Sequence, residues 1–555
     1  MALLKDDLSD KIRQDVQGAG KEDNTILSPN IPGFRTENRT MQTRFHFHMD
    51  KCMGCHACEV ACAEQNGLPV EVQWRRVGEV ETGIFPDTQR LFMSSGCNHC
   101  LDAACMKGCP VDAYQVNENG IVLHLDDVCI GCQYCTWNCP YGVPVYQEDR
   151  NIVTKCDMCT HRLDEGLDPA CVQACPASAI EIETVPLTEV IETYCKDGVG
   201  PDMPDPEITM PSTKITLPEG IQLKDMTKVD RPFVEPEDPH TPLVWMTVLT
   251  QLGLGGVFAI FIVDLIRIIF NLSLVNGETL GWLGPIVIGL TGISLSASML
   301  HLGRPAYAYR AMKNWRTSWL SREVLGLSLF AGVAMGYAFF LFLTEGLDIL
   351  SVETVGSDAV RLLLGWISMI AGLAGVYCSS MIYRVPARPG WNSVKTTVDF
   401  FSVAFILGPA TFSSSVVLSD FIWDTHGFYL TESAKVAAAI AGLMLMFNAG
   451  LQGKFAQLWR KSEMHELRGC SHLYLVRFLP FRVLRNIVGA IGLIALIAIV
   501  SGATAPGSGA SVTTSGLALM SLLVFCLMQR YLFFVTVVPK NIPGNFHMAA
   551  YRSER

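Results

Sequence analysis

Four cysteines stand within eleven residues in "CMGCHACEVAC", at Cys52, Cys55, Cys58 and Cys62. The same spacing returns at Cys129, Cys132, Cys135 and Cys139. Looser versions occur at Cys97, Cys100, Cys105 and Cys109, and at Cys156, Cys159, Cys171 and Cys175. Sixteen of the 20 cysteines are thus gathered between residues 52 and 175. A disulfide scaffold would imply a secreted chain, yet the polar first 44 residues show no export signal. Zinc ribbons use C-x2-C pairs but need no third cysteine three residues on. Iron–sulfur cubanes do: a tight loop presents three thiolates to one cluster, and the fourth cysteine, often followed by proline, reaches another. Pro110, Pro140 and Pro176 follow the fourth cysteine of three clumps. With four ligands each, the expectation is four 4Fe–4S clusters. Local spacing leaves open which clumps are partners. Cys195, Cys378, Cys470 and Cys526 stand alone and read as ordinary thiols.

Charge divides the chain. Residues 1–240 hold 20 Lys and Arg against 39 Asp and Glu, whereas residues 241–555 hold 22 against 14. An acidic half joined to a basic, apolar half reads as two regions in different solvents, and no nucleic-acid partner is expected. Short strand-like pieces such as "GIVLHLDD" and "AIEIETV" between the clumps fit a doubled ferredoxin fold. The expected domains are a polar leader (1–42), an iron–sulfur domain (43–195), a Pro-rich extended tether (196–242), an eight-helix anchor (243–540) and a cytoplasmic tail (541–555). The tether rests on nine prolines between 201 and 242.

A spanning helix needs about 20 apolar residues. Eight runs qualify, roughly 243–266, 281–301, 323–343, 362–382, 396–417, 435–453, 486–504 and 516–538. The fold class is therefore an α+β doubled ferredoxin-like domain followed by an all-α transmembrane bundle. Loops on the ferredoxin side hold 18 Lys and Arg, from Arg304 to Arg555, against three opposite: Arg267, Arg361 and Lys435. The positive-inside rule puts the clusters at the cytoplasmic face of a bacterial inner membrane.

Only His301 among the later histidines adjoins an apolar span, so paired haem ligation is not expected. Quinone chemistry needs a hydrogen-bond donor to a carbonyl oxygen and a group that trades protons at the water boundary. The loop "HLGRPAYAYRAMKNWRTSWLSRE" supplies His301, Arg304 and Glu323. A carboxylate at the head of an apolar helix costs up to about 3 kcal/mol if carried inward, and such residues tend to be functional. Tyr383 and Arg384 are the next cluster of donors. Asp264 and Asp399, near span ends, are candidates for a proton path.

The cysteine clumps resemble the four-cluster electron-transfer subunit of the dimethyl sulfoxide reductase family. "HLGRP", "SWLSRE" and "YRVPARPGWNS" resemble that family's eight-span anchor, here fused to it. The resemblance implies that clump one pairs with clump four and clump two with clump three. It also implies a separate catalytic chain carrying a molybdenum bis-pterin cofactor, exchange with the membrane quinone pool, and quinone-site roles for His301 and Glu323. The charge bias favours a member resembling the quinone-reducing sulfite dehydrogenases. A quinol-oxidising reductase of dimethyl sulfoxide or a sulfur compound is the alternative, and a proton-coupling membrane module a third. A reporter enzyme fused after Arg555 is expected to be active only in the cytoplasm; periplasmic activity would reverse the orientation.

Overall fold

Alternation in "MQTRFHFH" sends Phe45 and Phe47 into a core with Met49, Val80, Met93 and Ile180, while His46 and His48 share the opposite face. The computed structural model describes residues 39–193, 203–222, 225–231, 234–272, 275, 277–347, 355–423 and 428–544. Leader residues 1–38, Cys195 and residues 545–555 lie outside these. Two compact units result, one running to Phe233 and resuming at Lys540, the other Val234–Pro539.

In the first unit, β1 (Met41–His48) comes first, then β2 (Arg76–Ile84) and β3 (Asp87–Ser95). The short strands β4 (Tyr114–Val116), β5 (Val122–His124), β6 (Val145–Gln147) and β7 (Ile152–Thr154) follow, and then β8 (Ile180–Pro186), β9 (Lys214–Thr216) and β10 (Thr227–Lys228). They form the sheets β8-β1-β9 and β10-β2-β3 and the hairpins β4-β5 and β6-β7. A hairpin separates each cysteine clump from the next, and β1 and β8 pair antiparallel outside the first and fourth. Short helices follow the clump loops, among them α1 (Ala57–Gln65), α2 (Ala104–Gly108), α3 (Tyr134–Asn138), α4 (Thr160–Asp164) and α5 (Ala170–Gln173). Helix α6 (Leu187–Thr193) packs against the sheet edge through Leu187 and Val190.

The described residues of the Pro-rich stretch are not all extended and unpaired. Its residues supply β9, parallel to β1, and β10, antiparallel to β2. Nor do residues 541–544 hang free. Lys228 Nζ donates to the carbonyl of Asn541 at 2.9 Å, the amide of Gly544 reaches Asp230, and Ile542 packs on Tyr141 and Val143. Composition reveals proline content, but strand pairing depends on a partner edge that only the folded unit provides.

In the second unit eight helices are long and apolar enough to cross a membrane. They are α7 (Thr241–Phe270), α8 (Gly277–Ala297, continued by a 3-10 turn to His301), α9 (Trp319–Leu341), α10 (Val355–Tyr383), α11 (Val394–Trp423) and α12 (Phe428–Arg460). After the short α13 (His465–His472) come α14 (Leu479–Ser501) and α15 (Gly509–Val535). The helices outrun their apolar runs because backbone hydrogen bonding continues until a cap or breaker stops it. Thus α9 starts four residues earlier than its apolar run, with the Ser318 hydroxyl as its cap, and Gly502 in the left-handed conformation ends α14.

Small residues set the crossing of α7 and α11. A Cβ on Gly408 in α11 would strike the backbone of Gly255 in α7, and one on Gly255 would strike the Ala404 carbonyl. Gly289 in α8 has open space around its missing Cβ. Gly408→Leu should lower the midpoint of detergent-phase thermal unfolding by an amount equivalent to about 1–3 kcal/mol, and Gly289→Leu should leave it unchanged. Equal midpoints for the two variants would refute this crossing.

Candidate functional site

The cysteine loops are shaped by residues that accept a positive φ. In "CMGC" Gly54 lies at φ 68° and the following His56 at 60°. In "CIGC" Gly131 lies at 68° and Gln133 at 59°, while in the fourth clump Met158 lies at 63° and Cys159 at 50°. Glycine adopts this conformation freely, but the others hold it at about 1–2 kcal/mol each. These left-handed turns curl the loops so that successive thiols face inward.

Four groups of four thiols result. Cys52, Cys55, Cys58 and Cys175 line one cavity, and Cys97, Cys100, Cys105 and Cys139 another. Cys109 lies among Cys129, Cys132 and Cys135. Cys62 lies with Cys171 and Cys159, and Cys156 is beside both Cys62 and Cys171. In every case the last cysteine of a clump joins three from a different clump. Burial pushes the Cys62 thiol up to about 12 and the Cys139 thiol up to about 11, so ionisation there calls for a strong local cation. Backbone amides also point at sulfur: Ala113 donates to Cys109 at 3.2 Å, Met158 to Cys156 at 3.4 Å and Ala179 to Cys175 at 3.2 Å.

Among the buried cations, Arg75 and Lys155 test whether an anionic cluster fits; Arg44 does not. Arg44 is buried but donates to two carboxylates, Glu183 at 2.7 Å and Glu189 at 2.6 Å. Arg75 is 4% exposed and has no carboxylate partner among the described residues; it donates to Ser94 Oγ at 3.2 Å and faces Phe45. Burial alone would lower its pKa, yet the neighbouring Cys171, Cys58, Cys156 and Cys62 sulfurs outweigh that and hold it raised. Lys155, 3% exposed, donates to the carbonyls of Val122 and Cys156 and lies 3.8 Å from Cys97 Sγ. Its pKa is raised too, with burial opposed by Cys97, Cys105 and Cys156 and, less, by Asp157. An unpaired buried cation is expensive, and thiolate-bound clusters supply the missing negative charge. The residues fit the group. Arg75 adjoins the Cys58 and Cys62 groups, and Lys155 the Cys62 and Cys97 groups, so these three groups form a series. The sequence signal was slight: one basic residue beside a clump in "TKC" and a pair in "WRRV".

In the bundle, His301 is half-buried at the end of its 3-10 turn, and its Nδ1–H donates to the Ser298 carbonyl, which leaves Nε2 as the other ring nitrogen. Glu323, 3% exposed, lies in the second turn of α9 and does not cap it. It bonds Ser379 of α10, and its Oε1 has no hydrogen-bond partner. No hydrogen bond joins His301 to Glu323 among the described residues. Arg304 opens the 3-10 segment Pro305–Met312 that leads towards α9. Tyr383 lies apart, within an aromatic nest of Trp391, Phe400, Phe533 and Phe534, while Arg384 sits against Met381 sulfur.

Two buried networks lie elsewhere. Arg361 holds Asp264 and, at 2.9 Å, Glu345, whose other oxygen takes Arg267 at 2.6 Å; Tyr337 donates to Asp264 at 3.0 Å. Asp399 accepts from Asn448 at 2.8 Å and Gln452 at 2.6 Å, with Arg530 at 3.6 Å. Arg530 also donates to Gln251 at 3.0 Å and stacks over Phe400. Arg361, expected in a loop, is therefore buried in α10, and Arg388, Lys395 and Arg485 are buried as well. Lone amides in apolar runs, such as Gln251 and Asn448, were the available signal for the second network.

Cysteine groups joined in series, continuous in one chain with eight spans, define a membrane-anchored iron–sulfur electron carrier. The chain belongs to the DMSO reductase anchor subunit (DmsC) family, which matches residues 238–535, and a 4Fe-4S dicluster domain matches residues 88–185. The first unit is similar to the B chain of the anaerobic dimethyl sulfoxide reductase of Haemophilus influenzae, 37% identical over 180 residues, 31% of this chain and 87% of that protein. The Escherichia coli K12 protein of that name is 37% identical over 185 residues, 32% of this chain and 89% of its own length. The B component of the sulfite dehydrogenase of Allochromatium vinosum is 35% identical over 153 residues, 24% of this chain and 64% of that protein.

The Asp399–Arg530 pair makes a testable unit. Asp399→Leu leaves Arg530 buried without its counter-charge and should destabilise the bundle by about 3–5 kcal/mol. The double variant with Arg530→Met should recover most of that loss. Strict additivity of the two changes in thermal unfolding would show the pair to be uncoupled.

Proposed function

We propose that this chain is the electron-transfer and anchor subunit of a molybdenum bis-pterin oxidoreductase. It passes electrons through four 4Fe–4S clusters between a separate catalytic chain and the membrane quinone pool, in the direction of quinone reduction as in sulfite dehydrogenases. The single observation that carries the reading is the exchange of the last cysteine between clumps. It makes four complete ligand sets from sixteen thiols, in a chain that continues into eight spans.

Cys52, Cys55, Cys58 and Cys175 would hold one cluster; Cys62, Cys156, Cys159 and Cys171 the next; Cys97, Cys100, Cys105 and Cys139 the third; Cys109, Cys129, Cys132 and Cys135 the last. Bound clusters supply one-electron transfer. Arg75 and Lys155 lie between neighbouring sets, where their charge favours the reduced, more negative state. The amides on Cys109, Cys156 and Cys175 act in the same sense.

At the membrane site two electrons and two protons convert quinone to quinol. His301, its Nδ1–H fixed by Ser298, keeps Nε2 as an acceptor for a quinol hydroxyl and donates to a quinone oxygen only as the imidazolium. Glu323 delivers a proton through its unpartnered Oε1. Arg304 supports the same loop; Tyr383 and Arg384 are the second choice because Tyr383 is enclosed by aromatic rings. The basic loops favour clusters on the cytoplasmic side of the inner membrane. The similarity to the dimethyl sulfoxide reductase proteins sustains the opposite electron direction as a second reading.

Anaerobically purified protein should hold about sixteen irons in wild type, His301→Ala and Glu323→Gln alike. Both variants should retain turnover with soluble redox dyes in the assembled complex and lose quinone-linked turnover at least about tenfold. Near-normal quinone activity in both would move the site to Tyr383 and Arg384, and about eight irons would overturn the four-cluster assignment.

A further inference from the structure

On the face of β1 opposite the core, His46 and His48 stand two residues apart, and Glu181 of β8 lies directly across from His46 in the strand register. The two imidazole rings are 4.1 Å apart between centroids, inclined at 33°. One donor atom from each of the three side chains lies within 4.8 Å of the others. The histidines are largely enclosed, at 13% and 14% exposure, and Glu181 is open to solvent at 48%. Imidazole pairs at i and i+2 on a strand, joined by one carboxylate, match a tetrahedral site with one open position for water.

We propose that His46, His48 and Glu181 form a divalent transition-metal site, with zinc its best-matched occupant, which clamps β1 to β8. Two imidazoles and a carboxylate suit zinc better than calcium or magnesium, which take all-oxygen shells. Outer partners are already in place. Thr216 Oγ1 lies 2.8 Å from His46 Nε2; with that nitrogen protonated and donating, Nδ1 keeps its lone pair. Glu183 borders the site, its Oε2 3.8 Å from His46 Nδ1, while its Oε1 is held by Arg44 at 2.7 Å. The opposing charges are Lys51, 3.7 Å from Glu181, and Lys214, in register with His46; Lys51 is 41% exposed and can swing away.

The position gives the clamp its purpose. Cys52 follows His48 by four residues and Cys175 precedes Glu181 by six, and both cysteines line the same cavity. A metal across β1 and β8 therefore ties together the two chain segments that close that thiol group. The clamp rests on the reading that these thiols hold a cluster; the metal site itself does not.

The test uses the full chain, purified anaerobically in detergent and freed of loose metal with a chelator that is then removed. Zinc titrated by calorimetry should show one saturable equivalent in wild type. His46→Gln/His48→Gln should lose that equivalent with iron content unchanged, and Glu181→Gln should weaken it. Wild type without such an equivalent, or its retention in the double variant, overturns the site. If the double variant loses iron, His48→Gln alone carries the comparison. On exposure to air, zinc should slow the loss of cluster absorbance in wild type and not in the variant. Equal rates with and without zinc in a wild type that binds zinc overturn the clamp while leaving the site.

Discussion

Each group of four thiols is closed by a cysteine from a distant clump, and the rest of the first unit serves that closure. A loop of eleven residues can curl three thiols towards one point, but not four, because its last cysteine leaves on the short helix. Cys175 reaches the Cys52 group because β1 and β8 pair antiparallel and bring their ends together. Cys109 and Cys139 exchange places across the one hairpin β4-β5. Strand pairing and ligand exchange therefore depend on each other. Without the ladders the fourth ligand is absent; without an anion among the thiols, Arg75 is a buried charge with no carboxylate partner and Lys155 has only the nearby Asp157.

The bundle faces the reverse problem. In lipid the apolar surface gives no preference for one helix neighbour over another, so specificity comes from close backbone contact and from polar groups that must find partners. Gly255 against Gly408 supplies the first. Asp264 with Arg361 and Asp399 with Arg530 supply the second, each joining three or more helices. Glu323 differs from these. It is nearly as buried as they are, but it meets a serine instead of a cation: its Oε1, like Asp399 Oδ2, has no hydrogen-bond partner, yet Asp399 Oδ2 has Arg530 at 3.6 Å. A structural carboxylate in such a place would be paired, which is why the unpaired one is the candidate for proton exchange.

Cluster chemistry, the two solvents and the count of eight spans were legible along the chain before any fold was known. Cysteine spacing, charge partition and apolar run length are local properties that survive without knowledge of neighbours. His301 and Glu323 stood out for the same reason, because a titratable residue at the edge of an apolar run is visible in one dimension. Whatever depends on a partner came from folding. The proline-rich stretch became the strands β9 and β10, since pairing edges are contributed by β1 and β2. Glu323 moved from the start of a helix to its second turn, because the Ser318 cap sets where hydrogen bonding begins. Arg361, Lys395 and Arg485 left the loops for the interior of the bundle. Charge on a sequence marks a residue as polar; whether it meets water, a carboxylate or a cluster is settled by which chain segments are folded against it.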